Sequence, residues 1–336
     1  DNVGSIAGTA FAQAPASPTQ QWAASATGRV EPKFGEVRVT SQIAGKVVEV
    51  LADTNDKVDA GDLLVRIDDQ DIYAKVSAAA AEVGVRQRER ADEQATGLAL
   101  ERQQQSDDVA KKERQLFSAH EAFDDALRAR HASPDDKAAA DKVVELRKTV
   151  DKAKADLAAA RDKLTEVASK ADMPLETRLE SSLALARSDL TSAEVALEKT
   201  RVRAPGDGTV LNMMAKVGEM AVPSPESALL VYGDLSSLRL RAEVEERDAA
   251  KVRVGQKVVV KADAFPDRDF TGVVTSISQS LGAPRIATRG PRRPNDVEVV
   301  EVMVALDGNP PLFTGMRVDA FFRLDTAAAV TSSTQK

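Results

Sequence analysis

One short pattern occurs twice in this chain, the second copy displaced from the first by a constant 163 residues. The first copy, Thr40 to Asp68, reads TSQIAGKVVEVLADTNDKVDAGDLLVRID. It alternates Val50, Val58, Leu64 and Ile67 between breaks at Ala44-Gly45, Asn55-Asp56 and Ala60-Gly61-Asp62. Period-two alternation between such breaks predicts short strands joined by tight turns. The second copy, Arg203 to Tyr232, reads RAPGDGTVLNMMAKVGEMAVPSPESALLVY. Gly45 corresponds to Gly208, Val47 to Val210, Val50 to Met213, Asn55 to Gly218 and Asp56 to Glu219. Asparagine opposite glycine is physically sensible, because asparagine is the side-chain-bearing residue that best tolerates positive φ. A duplicated strand unit follows, with Gly45, Asn55, Gly61, Gly208 and Gly218 as its predicted turn residues.

About 130 residues separate the copies, and their composition belongs to helices. From Ile72 to Thr200 the breakers are Gly84, Gly97, Pro134 and Pro174; the rest is rich in Ala, Glu, Gln, Arg, Lys and Leu. Val143, Leu146, Val150, Ala153, Leu157, Ala160, Leu164, Val167 and Ala171 keep an unbroken three-four spacing, the seam of a left-handed coiled coil. Val109, Leu116, Ala119, Phe123 and Ala126 face it from the outgoing arm, while Arg86 to Asp108 carries no apolar stripe. Beyond Pro174 a seam resumes in shifted register at Leu179, Ala186, Leu190, Ala193 and Leu197, which predicts a bend near Met173-Pro174. The midpoint falls at His131-Ala132-Ser133-Pro134-Asp135. The spacing therefore predicts a hairpin with arms of about sixty residues, each on the order of 90 Å long. Arg128, Arg130, His131, Ser133 and Pro134 form the predicted tip, with Ser133 capping the returning helix and Pro134 in its first turn.

Leu235 to Ser278 reads as a small β-barrel: alternating Leu238, Leu240, Ala242 and Val244, a helical stretch at Glu246 to Val252, a turn at Gly255, and strands at Lys257 to Ala262 and Phe270 to Ile277. Asp296 to Asp307 and Gly315 to Leu324 are further strands around Pro310-Pro311, expected to pair with Ser25 to Val39.

Composition removes whole classes of function. Aromatic residues are 4% and charged residues 29%, a balance suited to long helices rather than one globular core. The formal net charge is −7 with both signs interleaved, so no face has the positive field that nucleic acid requires. Without cysteine the chain forms no disulfide, thiol nucleophile or zinc-thiolate site. The two histidines, His120 and His131, lie on the helical stretch, and neither a phosphate-binding glycine loop nor a nucleophile elbow occurs, so no enzyme activity and no cofactor are expected. Val3 to Ala14 reads either as the remnant of a signal or anchor or as a plain disordered tail.

The duplicated copies resemble the half-motifs of a biotinyl/lipoyl domain, a flattened barrel of two interlocked halves. In a carrier domain a tight hairpin bearing the modified lysine joins the halves. Here Lys75 falls near that place but runs into an alanine-rich helical stretch. The phrases VEERDAAKVRVGQKVVV and ADAFPDRDFTGVVTSI resemble the β-barrel domain of periplasmic adaptors of the haemolysin-D-type membrane fusion family. The order of segments along nearly the whole chain is that family's order.

This resemblance implies an α+β, elongated multidomain chain: a long coiled-coil hairpin (72–200) inserted in a lipoyl-like domain (40–71 plus 201–233), then a small β-barrel (234–281) and a membrane-proximal β-domain (22–39 plus 282–330). Residues 1–21 and 331–336 are expected to be disordered. It implies an adaptor in the Gram-negative periplasm, attached to the inner membrane, serving export or efflux. Its partners would be an inner-membrane transporter, ABC or proton-driven, a TolC-like outer-membrane channel, and further copies of itself in a homo-oligomer, a hexamer in the family. The Arg-Leu-Ser pattern that family members carry near the tip is not reproduced by Arg128, Arg130 and Ser133, so channel docking rests on hairpin length. Arg285, Arg289, Arg292 and Arg293, in GAPRIATRGPRRPN, are candidates to touch anionic lipid or the transporter, with a solvated loop as the plain alternative. Two other functions stay open on sequence: a lipoyl or biotinyl carrier modified at Lys75, and a coiled-coil scaffold that dimerises.

Overall fold

The computed structural model describes residues 22–286 and 298–324. In chain order it contains β1 (Trp22–Pro32), β2 (Val37–Thr40), β3 (Gly45–Val50), β4 (Lys57–Val58) and β5 (Leu63–Ile67). Four helices follow: α1 (Gln70–Ala91), α2 (Gly97–Ala132), α3 (Lys137–Ala168) and α4 (Arg178–Glu198). The chain then returns to strands with β6 (Arg201–Arg203), β7 (Gly208–Met213), β8 (Met220–Ala221), β9 (Ala228–Gly233) and β10 (Leu238–Glu245). After the single helical turn α5 (Glu246–Ala249) come β11 (Lys257–Lys261), β12 (Asp269–Gly282), β13 (Val299–Leu306) and β14 (Arg317–Arg323). The described residues form two units, one from 22–34 with 235–324 and one from 35–234.

The first unit is a closed six-stranded barrel in the order β1-β10-β13-β12-β11-β14. Alternate residues point inward, as period-two patterning requires: Leu240, Ala242 and Val244 from β10, Val302 and Val304 from β13, and Val318, Ala320 and Phe322 from β14 are all buried. The sequence reading divides these strands between a small barrel and a separate membrane-proximal domain, and the structure overturns that division. β1 pairs on one side with β10, Thr27 opposite Glu243, and on the other with β14, Thr27 opposite Asp319. Left apart, either set would expose unpaired strand edges; joined, they have none. Residues 37–39, assigned by sequence to the same domain, instead lie in β2, which pairs with β9 in the second unit.

The second unit contains two four-stranded sheets, β2-β9-β7-β4 and β6-β5-β3-β8, around a core of Val47, Val65, Ile67, Val210 and Leu230. The helical segment between its halves is not one straight hairpin. Both arms break, at 92–96 and at 169–177, and α2–α3 folds back along α1–α4. The first break sits where the sequence has no apolar stripe and where Gly97 takes a φ of 58°; the second contains Asp172 at φ 62° beside Pro174. Within the folded arm the coiled-coil seam holds: Val143, Val150, Leu157, Ala160 and Val167 are buried, with Ala119, Phe123 and Ala126 of α2 opposite the start of the row.

Candidate functional site

Four backbone hydrogen bonds lock the duplicated halves together, and they come in two equivalent pairs. Asn55 N–H donates to Val210 O at 2.7 Å, and its counterpart Gly218 N–H donates to Val47 O at 2.8 Å. Val210 N–H donates to Asp56 O at 2.9 Å, and Val47 N–H to Glu219 O at 2.8 Å. Each turn thus reaches across to the other half's strand, so neither half completes its hydrogen bonding alone. Asn55 has φ 77° and Gly218 φ 95°, which is why those two positions require residues that accept the left-handed region. Gly61 is also left-handed, at φ 84°. Gly45 and Gly208, predicted as turn residues, instead open strands β3 and β7, where the need is closeness. A Cβ at Gly208 would lie 2.5 Å from the Tyr232 ring, and one at Gly45 2.4 Å from Ile67.

The predicted tip lies against this β-structure rather than at a far end. Arg128 Nε donates to Glu49 Oε2 at 3.0 Å, and Arg130 lies 3.6 Å from the buried Asp62 carboxylate. Arg147, in the returning helix, donates to Asp62 Oδ1 at 2.5 Å and to Ala60 O at 3.0 Å. His131, Ser133 and Pro134 are exposed. Ser133 does not cap the returning helix: it closes α2, its N–H bonding Ala129 O, and Asp136 caps α3 by accepting from Ala138 N–H at 2.9 Å. Helix α3 therefore begins three residues beyond Pro134.

A ladder of arginine–carboxylate pairs joins α2 to α4 and its continuation into β6. Arg102 donates to Glu180 at 2.9 Å, Arg187 to Asp107 at 2.7 Å, and Arg203 to Asp124 at 2.7 and 2.9 Å. Arg114–Glu194 and Arg201–Glu121 complete it. The hydrogen-bonded rungs join residues 78 to 80 positions apart, so α2 and α4 run side by side in the same direction. Asp107 is held below the usual carboxylate range: burial opposes its charge, but the hydrogen bonds from Arg90 and Arg187 outweigh it. Glu180 is likewise lowered, burial being outweighed by the Thr177 N–H, Gln103 and Arg102. Beside the ladder a cavity of about 440 Å³ opens between α2, α3 and α4, walled by Leu116, Phe117, Val150, Leu157 and Val195. His120 lines it with a buried Nδ1 that has no hydrogen-bond partner. Burial, with Arg203 second, pushes its pKa down.

Asp62, Asp124, Arg147 and Arg203 are the residues that sequence reasoning missed. Asp124, 1% exposed, stands one position off the Ala119-Phe123-Ala126 seam and is buried by Arg203 and Arg201 rather than by α3, so the coiled-coil spacing gave no signal for it. Lys75, the carrier position, lies within α1 and is exposed, on a helical turn rather than at the end of a hairpin. Arg285 sits beside the barrel, its N–H donating to Glu243 at 2.8 Å and its guanidinium 3.6 Å from Glu301. Arg289, Arg292 and Arg293 lie outside the described residues, as do 1–21 and 325–336. Among the described residues no cluster of His, Asp or Glu is arranged to hold a metal ion, and no helix is long and apolar enough to cross a membrane.

Residues 35–232 match the family model described as RND MFP, barrel-sandwich hybrid domain, and residues 238–318 match the YknX-like beta-barrel domain. Among curated proteins the chain is similar to the multidrug export protein EmrA of Haemophilus influenzae, 31% identical over 251 residues covering 74% of this chain and 61% of that protein. The protein of the same name from Escherichia coli is 26% identical over 254 residues, again 74% of this chain and 61% of the relative. The match thus spans about three-fifths of these relatives' length. Among solved structures the fold is similar to MacA from Actinobacillus actinomycetemcomitans, with a TM-score of 0.54 and 19% identity over 90% of this chain and 78% of that one. A MacA-MexA chimera carrying the Pseudomonas aeruginosa MexA α-hairpin domain gives a TM-score of 0.55 and 17% identity, over 90% and 80% of the two chains.

Proposed function

Because the chain belongs to the membrane fusion protein family of efflux adaptors, we propose that it works in the periplasm, attached to the inner membrane, as the bridge between an inner-membrane transporter and an outer-membrane channel. The observation that carries this reading is the interlocking of two half-motifs across a helical insertion, locked by the reciprocal Asn55–Val210 and Gly218–Val47 bonds. Such a unit gives a stiff base that carries the helical arm, and it needs no reacting group: the work is positional. Copies would assemble around the conduit, as a hexamer by family likeness, with energy supplied by the transporter.

The test is a deletion strain combined with cross-linking in cells. A photo-reactive residue replacing exposed Asp135 should yield adducts with an outer-membrane protein, and one at exposed Arg285 with an inner-membrane transporter. The deletion should raise sensitivity to exported compounds, and the intact gene should restore resistance. Unchanged sensitivity together with a lipoyl or biotinyl mass on Lys75 would replace the adaptor reading by that of a carrier.

A further inference from the structure

Two pairs of lengths coincide in the helical arm. α1 and α4 have 22 and 21 residues, and α2 and α3 have 36 and 32, so both arms of the hairpin break at the same height. The breaks are tied to each other: Thr177 Oγ1 donates to Glu93 Oε2 at 2.6 Å. A straight hairpin built from this sequence would pair α1 with α4 and α2 with α3, and those are the pairs that pack in the folded arm as well. Folding back therefore sacrifices neither apolar seam.

What folding back adds is of different character. It adds the ladder from Arg102–Glu180 to Arg203–Asp124 and the contacts of Arg128 and Arg147 with Glu49 and Asp62. Its apolar share is small, chiefly Phe117 against the α1–α4 cluster and Leu63 against the α2–α3 cluster, beside a cavity left unfilled. Ion pairs taken from water gain little net free energy, because desolvation offsets most of their attraction. Separating them returns each charge to solvent, whereas an apolar interface of equal extent would resist opening. The hinge segments suit such a motion. Gly97 moves between left- and right-handed φ without a Cβ penalty, Asp172 sits in a region that side-chain-bearing residues leave readily, and Leu175 beside Pro174 is 93% exposed.

We infer that the helical arm is a two-state jack-knife, hinged at 92–96 and 169–177, closed by the arginine–carboxylate ladder and opening to a straight hairpin with both helix pairs intact. Closed, the 128–134 end rests on Glu49 and Asp62; open, it stands on the order of 90 Å from them at 1.5 Å per residue. The inference does not depend on which proteins the adaptor joins.

The chain has no cysteine, so dyes at Lys57→Cys and Asp135→Cys, both exposed positions, report the motion in the purified full chain by single-molecule energy transfer. The parent should show a high-transfer population. Asp107→Asn with Glu180→Gln, which weaken two rungs, should raise the ratio of low- to high-transfer molecules roughly tenfold or more while helical circular dichroism stays unchanged. A short cross-linker between Arg114→Cys and Glu194→Cys, in a chain bearing fluorescent-protein tags in place of dyes, should hold transfer high in the same background. Transfer that stays high in the weakened variant at every salt concentration, or that falls only together with the helical signal, overturns the jack-knife.

Discussion

The Asp124 carboxylate receives both terminal nitrogens of Arg203, at 2.7 and 2.9 Å, and it does so while 1% exposed. Burial works against the Arg203 charge, but the hydrogen bonds it donates to Asp124 and Glu198 outweigh it and hold the guanidinium ionised more firmly than usual. Without Asp124 the Arg203 guanidinium keeps Glu198 as its carboxylate partner and loses the buried one. Asp124→Ala should therefore cost about 1–3 kcal/mol in urea unfolding of the second unit, and Asp124→Leu with Arg203→Met should recover most of that loss. If the single and double variants lose the same amount, the pair is not what docks α2 on β6.

Asn55 and Gly218 hold equivalent left-handed turns, at φ 77° and 95°. Asn55→Gly should change thermal stability by less than about 0.5 kcal/mol, whereas Asn55→Val and Gly218→Val should each cost roughly 1–3 kcal/mol, since a β-branched residue fits that region worst. Equal effects of glycine and valine at position 55 would show that backbone conformation is not the constraint there.

Gly208 is constrained by space. Its missing Cβ would meet the Tyr232 ring at 2.5 Å and Gly233 O at 2.8 Å, and Tyr232 is anchored by its hydroxyl donating to Asp207 O at 2.6 Å. With backbone on one side and a pinned ring on the other, Gly208→Ala should destabilise by about 1–3 kcal/mol. Gly61→Ala, with nothing within 4 Å but a φ of 84°, should cost about 1 kcal/mol, a strain cost alone. Calorimetric melting of the two variants separates crowding from strain.

His120 supplies a pH dependence whose sign follows from its surroundings. Burial and the Arg203 charge push its pKa below the ordinary 6.5, with Lys154 acting in the same direction and Glu198 and Asp124 opposing. A group that folds more readily when neutral stabilises fully above its unfolded pKa and loses that contribution as pH falls toward the lower folded value. The docked arm should thus weaken from about pH 6.5 downward, before the carboxylates titrate. His120→Gln should flatten that limb while leaving the loss below the ordinary carboxylate range, where Asp107 and Glu180 protonate. Denaturant midpoints measured between about pH 2 and 8 give both limbs.

The helix pairs were legible because their information is local: Val143, Val150 and Leu157 recur at heptad spacing within one helix and are buried as that spacing demands. The duplicated halves were legible for a related reason, since Val47 and Val210 repeat a pattern and each is at most 1% exposed. The fold-back of the arm was not, because its direction is decided by partners 78 to 80 residues apart, such as Arg102 with Glu180, that look like ordinary solvated charges in sequence. The union of two expected β-domains into one barrel escaped for the same cause: β1 pairs on both sides with strands more than two hundred residues away, and alternation in β1 does not say with whom.

That barrel has a consequence for how the chain is made. Its opening strand, starting at Trp22, leaves the ribosome roughly 15–60 s before its closing neighbour, starting at Arg317, at ordinary elongation rates. For that interval Val30 has no finished interior to enter, whereas residues 35–234 hold all of their own sheet partners and are free to set first. A nascent chain arrested ahead of Arg317 would carry a matured middle between two unjoined ends, and loss of the last seven-residue strand would be felt at the first.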